Sequence, residues 1–129
     1  GVPHPLPKMH FRAFINAVEV DLVSVSPLHL ADGEITDPEM RQTVTLRRGV
    51  GRSRLFYDWN QSRIFNKTDV RIVTIVLLDQ AGGRPVNIWQ LVNARPVRWS
   101  GPGLDAMENG IAMEELEIAY DNINWRSRL

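Results

Sequence analysis

The run from Arg71 to Asn93 constrains this chain more than any other. It reads Arg-Ile-Val-Thr-Ile-Val-Leu-Leu-Asp, then Gln-Ala-Gly-Gly-Arg-Pro, then Val-Asn-Ile-Trp-Gln-Leu-Val-Asn. Two β-rich stretches flank a glycine-rich turn, which predicts a hairpin with arms Ile72–Asp79 and Val86–Asn93. The first arm is apolar on both faces, with Ile72, Val76 and Leu78 alternating with Val73, Ile75 and Leu77. A strand of that kind is covered on both sides, by the rest of its domain or by a partner. A short step, Arg95-Pro96-Val97-Arg98-Trp99, follows the hairpin. Ser100-Gly101-Pro102-Gly103-Leu104 then breaks the chain.

The remaining segments read around that hairpin. Pro3, Pro5 and Pro7 make residues 1–8 an extended arm. Phe11, Ala13 and Ile15 alternate, and Val18, Val20 and Leu22 alternate on the other parity, so two strands meet at a tight turn on Asn16-Ala17. Val23 and Val25 shift parity again, which predicts a bulge near Leu22. Asp32-Gly33 and Asp37-Pro38 place Ala31–Glu39 in a surface loop or hairpin tip. Arg41 to Arg47 alternates as a strand, broken by Gly49 and Gly51. Ser53 is positioned to cap a helix of about residues 53–65, whose stripe is Leu55, Phe56, Trp59, Arg63 and Ile64 and whose stop is Asn66. Asp105 to Tyr120 is open between two readings. Ala, Met, Glu and Leu favour helix, whereas the alternation beyond Gly110 favours a strand with a bulge at Glu114-Glu115.

A chain of 129 residues suffices for one domain, here taken as 1–129. With no cysteine it has no disulfide, no thiolate zinc site and no thiol nucleophile. No apolar run approaches the length that spans a bilayer. His4, His10 and His29 show no ligand spacing, and the loop near His29, Asp32 and Glu34 matches no metal motif. Asp79-Gln80-Ala81-Gly82-Gly83 lacks the Lys-Ser/Thr ending of a phosphate loop and reads as a turn. Ser100-Gly101-Pro102-Gly103 is no nucleophile elbow. Glu114, Glu115 and Glu117 read as exposed carboxylates on a solvated edge, with 115 and 117 on one face and 114 on the other. The expectation is therefore no catalytic residue, no cofactor and no metal.

Lys plus Arg equals Asp plus Glu, 15 against 15. That balance hides two blocks: five arginines and no acid between residues 41 and 57, and six acids and no base between 105 and 121. The two strands either neighbour each other within a subunit or meet across a subunit boundary, where complementary fields set register. The second alternative makes Arg41, Arg47, Arg48, Arg52, Glu114, Glu115 and Glu117 candidate interface residues. The exposed loop adds Asp32, Gly33 and Glu34.

The order "VLLD, AGG, W, NA, PV, SGP, L, A", closing on Glu115-Leu116-Glu117-Ile118-Ala119, resembles the tail-tube proteins of contractile phage tails and contractile injection systems. Val44-Thr45-Leu46-Arg47-Arg48-Gly49 is similar to the family's "ITLKRG", Tyr57-Asp58-Trp59 to its "LWDW" helix, and Ser24-Val25-Ser26-Pro27-Leu28 to its "VSGL" segment. Glu114 to Ile123 resembles "ET-LELAHEGL", with Tyr120-Asp121 for His-Glu, which settles that segment as strand. The resemblance covers residues 11 to 123. It implies a mainly β (α+β) fold, an antiparallel barrel or sandwich of about six to eight strands with one packed helix, shared with the type VI secretion tube protein. It further implies hexameric rings stacked into a hollow tube, with sheath and baseplate proteins as partners, cargo or DNA passing the lumen unbound, and no membrane. Assembly is then expected in the bacterial cytoplasm, within a virion tail or a released injection particle. One departure matters: only 15 residues separate Leu28 from Val44, where typical members carry a longer hairpin that touches the next ring. The shortened loop suits a specialised ring, such as one that starts the tube on the baseplate. The alternative class is a small-ligand-binding β-barrel, which needs a concave apolar interior.

Overall fold

A computed structural model describes residues 9–26, 33–34, 42–51, 53–79, 83–102, 107–108 and 111–127. The arm at 1–8 and most of the loop at 31–39 lie outside these residues. Among the described residues, ten antiparallel strands and one helix follow in the order β1 (Met9–Ile15), β2 (Val18–Leu22), β3 (Ser24–Ser26), β4 (Gly33–Glu34), β5 (Gln42–Gly49), α1 (Leu55–Ile64), β6 (Arg71–Asp79), β7 (Pro85–Ser100), β8 (Met107–Glu108), β9 (Ile111–Tyr120) and β10 (Asn122–Ser127). β4 and β8 are two-residue pairs, which leaves eight strands to carry the fold, as expected. The ladder runs β2-β1-β6-β7-β9-β5-β3, with β10 on β7 and β4 on β10. It is open and sandwich-like rather than a closed barrel.

The hairpin of β6 and β7 is the centre of this arrangement. Its arms pair from Leu78↔Pro85 to Arg71↔Ala94. Val73 and Ile75 are fully buried, and Val76 and Leu78 on the opposite face are buried as well. The two-sided burial expected of this strand therefore holds from Val73 onward, while Ile72 at its start is exposed. β7 does not stop at Asn93. It runs for 16 residues in all, from Pro85 to Ser100, through the segment read as a short step. Asn93 adopts φ 57° at a register shift, which turns the strand without ending it. Before the turn β7 pairs with β6 and β10; after it, Arg95 to Ser100 pair with β9.

The parity change at Val23 is also a change of sheet rather than a bulge. β2 pairs with β1, and β3 pairs with β5. At the bend between them, Val23 N donates to Arg47 O at 2.8 Å. Val20, Leu22 and Val25 all face the core as a result. At the β1–β2 turn, Asn16 takes φ 54° and its side chain accepts from Ile72 N at 3.1 Å, so this hairpin is tied to β6. The core between the layers comprises Ala13, Ile15, Val44, Leu46, Val73, Ile75, Leu91, Leu116 and Ile118, closed by Phe56 and Trp59 of α1.

β9 is a strand, as the resemblance implied, but the bulge at Glu114-Glu115 is absent from its pairing with β5. Register is unbroken from Gly49↔Met113 to Gln42↔Tyr120. Glu114, Leu116, Ile118 and Tyr120 share the inward face, so the parity change reflects a buried charge and not an extra residue. The stripe on α1 also needs correction. Its buried residues are Phe56, Trp59 and Asn60, while Ile64 is 54% exposed. Ser53 Oγ accepts from Leu55 N at 3.3 Å, but the residue at the cap position is Arg54. Asn66 adopts φ 54° just past the helix, as a stop residue does.

Candidate assembly surface

The arginine and acidic blocks meet within one subunit. Arg47 pairs across the ladder with Glu115, and Arg48 with Glu114. Alternation sends the two pairs to opposite faces. Arg47 Nε lies 3.3 Å from Glu115 Oε1 on the outer face, where the side chains are 25% and 40% exposed. Arg48 and Glu114 face inward at 7% and 4% exposure, so both sit inside the subunit rather than on its surface. The three-carboxylate edge is thus really two outward acids, Glu115 and Glu117, and one buried acid.

The buried pair has further partners. Arg48 Nε donates to Glu114 Oε2 at 3.0 Å, and Trp99 Nε1 donates to Glu114 Oε1 at 3.0 Å. A second Arg48 nitrogen donates to Ser53 O at 2.8 Å, and the guanidinium lies 4.4 Å from the Phe56 ring centre. Burial of an ion pair costs desolvation, which these added bonds offset. The group fastens the segment ahead of α1 to the sheet. At the other end of the helix, Trp59 Nε1 donates to Asp69 O at 2.9 Å, and Arg71 stacks over the Trp59 ring at 5.1 Å. Neither group contains an unpartnered nucleophile or base. Among the described residues no cluster of histidine and acidic side chains could hold a metal.

A third polar group lies at the corner where β7 and β9–β10 change layer together. Arg95 donates to Asp121 Oδ1 at 3.0 Å, and Asn93 Nδ2 donates to Asp121 Oδ2 at 3.1 Å. The hydrogen bond from Arg95 holds the Asp121 carboxyl below its ordinary range, with Asn93 adding to the effect.

Of the other predicted interface positions, Gly33 and Glu34 form β4 against Ile123 and Asn122 at the start of β10. Glu117 is half-buried opposite Thr45 and Arg98. Arg41, Arg52 and Asp32 lie outside the described residues. Sequence reasoning missed the exposed apolar residues. Trp125 is 49% exposed on β10, and Phe65 is 66% exposed at the end of α1. Beside Phe65 an open cleft of about 420 Å³ is lined by Arg63, Lys67, Asp69, Arg95 and Val97. Among the described residues, the partners of β10 beyond Ile123 lie on its β7 side alone. A large exposed apolar side chain on a strand is the kind of surface feature that marks a contact site.

The fold is an open antiparallel sandwich closed by one helix, which is the class of β-rich protein that the comparisons address. Residues 35–124 match the family described as T4-like virus tail tube protein gp19, and the chain belongs to that family. A chain in the sheath/tube terminator of an extracellular contractile injection system, PVC, in its extended state is 27% identical. That match covers 98% of this chain and all of that one, with a TM-score of 0.72. A chain in the PVC sheath-tube complex is 26% identical over 98% of this chain and 94% of that one, again with a TM-score of 0.72. Hcp1 from Flavobacterium johnsoniae shares the fold at 10% identity, with 92% and 95% coverage and a TM-score of 0.70. No curated protein matches the sequence. The protein is a structural subunit of the tail-tube type.

Proposed function

We propose that six copies of this chain close into a ring and that rings stack into a hollow conduit, acting by surface complementarity and not by catalysis. The observation that carries this reading is exposed Trp125 on β10, on a fold matched over nearly its whole length by chains of contractile injection particles. Edge strands pair with the neighbouring copy to close the ring. Sheath and baseplate proteins are the natural partners outside the ring, and a tail or released particle assembled in bacterial cytoplasm is its setting. The segment bearing Asp32, Gly33 and Glu34 supplies contacts between rings, and Arg41 and Arg52 of the arginine block belong to the subunit interface. The shortness of that segment favours a specialised, baseplate-proximal ring. A ligand-binding barrel would need an open apolar interior, whereas this core is filled by Phe56, Trp59, Trp89 and Leu91.

The test is sizing and negative-stain imaging of the purified chain over a range of concentrations. Rings, with rods at high concentration, are expected. A monomer at every concentration would overturn the reading. Replacing Asp32–Asp37 by a Gly-Ser linker should leave rings intact and alter stacking; unchanged stacks would remove the loop from the account.

A further inference from the structure

The break at Ser100-Gly101-Pro102 does a steric job. Gly101 does not use the left-handed backbone region, so conformation alone admits any residue there. Space does not. A methyl group on its Cα would stand 2.8 Å from Cζ3 of Trp99 and closer still to two other carbons of the same indole. Trp99 is folded back across the end of its own strand, and a retreat of the ring would cost it two contacts. Its Nε1 is bonded to Glu114, and it forms a T-shaped pair with the Tyr57 ring of α1, ring centres 5.1 Å apart and 78° between planes.

We infer that Gly101 is a positioning residue for α1: by leaving room for the indole, it lets Trp99 grip Glu114 and Tyr57 and so sets where the helix stands on the sheet. The helix has a narrow buried face, only Phe56, Trp59 and Asn60, which leaves its placement to such contacts. Glu114 passes the constraint on through Arg48 to Ser53 and Phe56. Because α1 ends in the exposed pair Ile64 and Phe65, its placement shapes the outer surface of the subunit. A consequence for assembly rests on the ring reading above.

The experiment is a cycle of Gly101→Ala, Trp99→Phe and the double variant, followed by near-ultraviolet circular dichroism, melting and sizing. The chain has four tryptophans, and the difference between wild type and Trp99→Phe isolates the Trp99 band. Gly101→Ala should erase that same band and lower the melting temperature. In the Trp99→Phe background, where the outer indole carbons are gone, Gly101→Ala should cost far less. Ring yield should fall in Gly101→Ala and, in the double variant, match Trp99→Phe. If Gly101→Ala alone does not fold, recovery of folding in the double variant supports the same conclusion, and continued unfolding overturns it. Retention of the Trp99 band at the wild-type melting temperature, or an equal loss in both backgrounds, also overturns it. A wild type that never forms rings would sink the ring reading, while the band and the cycle still decide the role of Gly101.

Discussion

Glu114 and Glu115 are consecutive on β9, each opposite an arginine of β5, and alanine at each position should separate buried from exposed charge pairing. Glu114→Ala leaves the Arg48 side chain, 9% exposed, without its carboxylate. Breaking a buried pair costs about 3–5 kcal/mol. Ser53 O and the Phe56 ring still hold Arg48, which favours the lower end of that range. Trp99 also loses its acceptor, for roughly 1 kcal/mol more. A total of about 4 kcal/mol lowers Tm by about 16 °C, taking roughly 4 °C per kcal/mol for a domain of this size. Glu115→Ala removes a pair whose acid is 40% exposed. Such pairs contribute about 0–1 kcal/mol, so the shift should stay below about 4 °C. The assay is calorimetric melting of the unassembled subunit at low salt and at about 1 M salt, where the Debye length is about 3 Å. High salt should erase the small Glu115 effect and leave most of the large one. Glu114→Gln, which keeps an oxygen for Trp99 but drops the charge, should fall between. Equal shifts for the two alanine variants, or loss of both in salt, would refute the assignment of Glu114 to the core.

Two further outcomes follow from the fold. Because the folded Asp121 carboxyl lies below its ordinary value near 4, its contribution is present above that value and is lost as pH falls through the folded one. Acid melts below about pH 4 should therefore show a steeper loss for wild type than for Asp121→Asn, and parallel curves would remove Arg95–Asp121 from the account. Ile75 is fully buried at the centre of the hairpin, so Ile75→Ala should cost about 2–5 kcal/mol in urea titrations, and a wild-type midpoint would contradict its place in the core.

The hairpin was legible because its evidence is local: turn residues, β-branched arms and two-sided apolarity all lie within one stretch. The strand at 111–120 was harder. Its residues favour helix, and only pairing on both sides, with β5 and with β7, holds them extended. The inward turn of Glu114 was invisible for a related reason. Its partner Arg48 is 66 positions away, and a lone carboxylate in alternating sequence reads as solvated. On α1 the first half of the expected stripe holds, with Phe56 and Trp59 in the core and Leu55 packed against it, and Ile64 falls outside it. Arginines 48, 54 and 71 also stack on its aromatics, contacts that hydrophobic periodicity does not record. The bends at Val23 and Asn93 were seen as an irregularity and as an end. Each is a change of layer, which depends on where the opposite sheet lies.

The corner at Asn93, Arg95 and Asp121 has a mechanical meaning. β7 and the β9–β10 run pass from one layer to the other side by side, bonded to each other before, at and after the bend. Neither layer can slide without shearing that whole ladder at once, and the side chains at the corner clamp it where leverage is greatest. A push on one edge of the subunit is therefore delivered to the opposite edge with little give. In the ring stack proposed above, subunits of this kind would transmit thrust along the conduit, and bending would be left to the joints between rings.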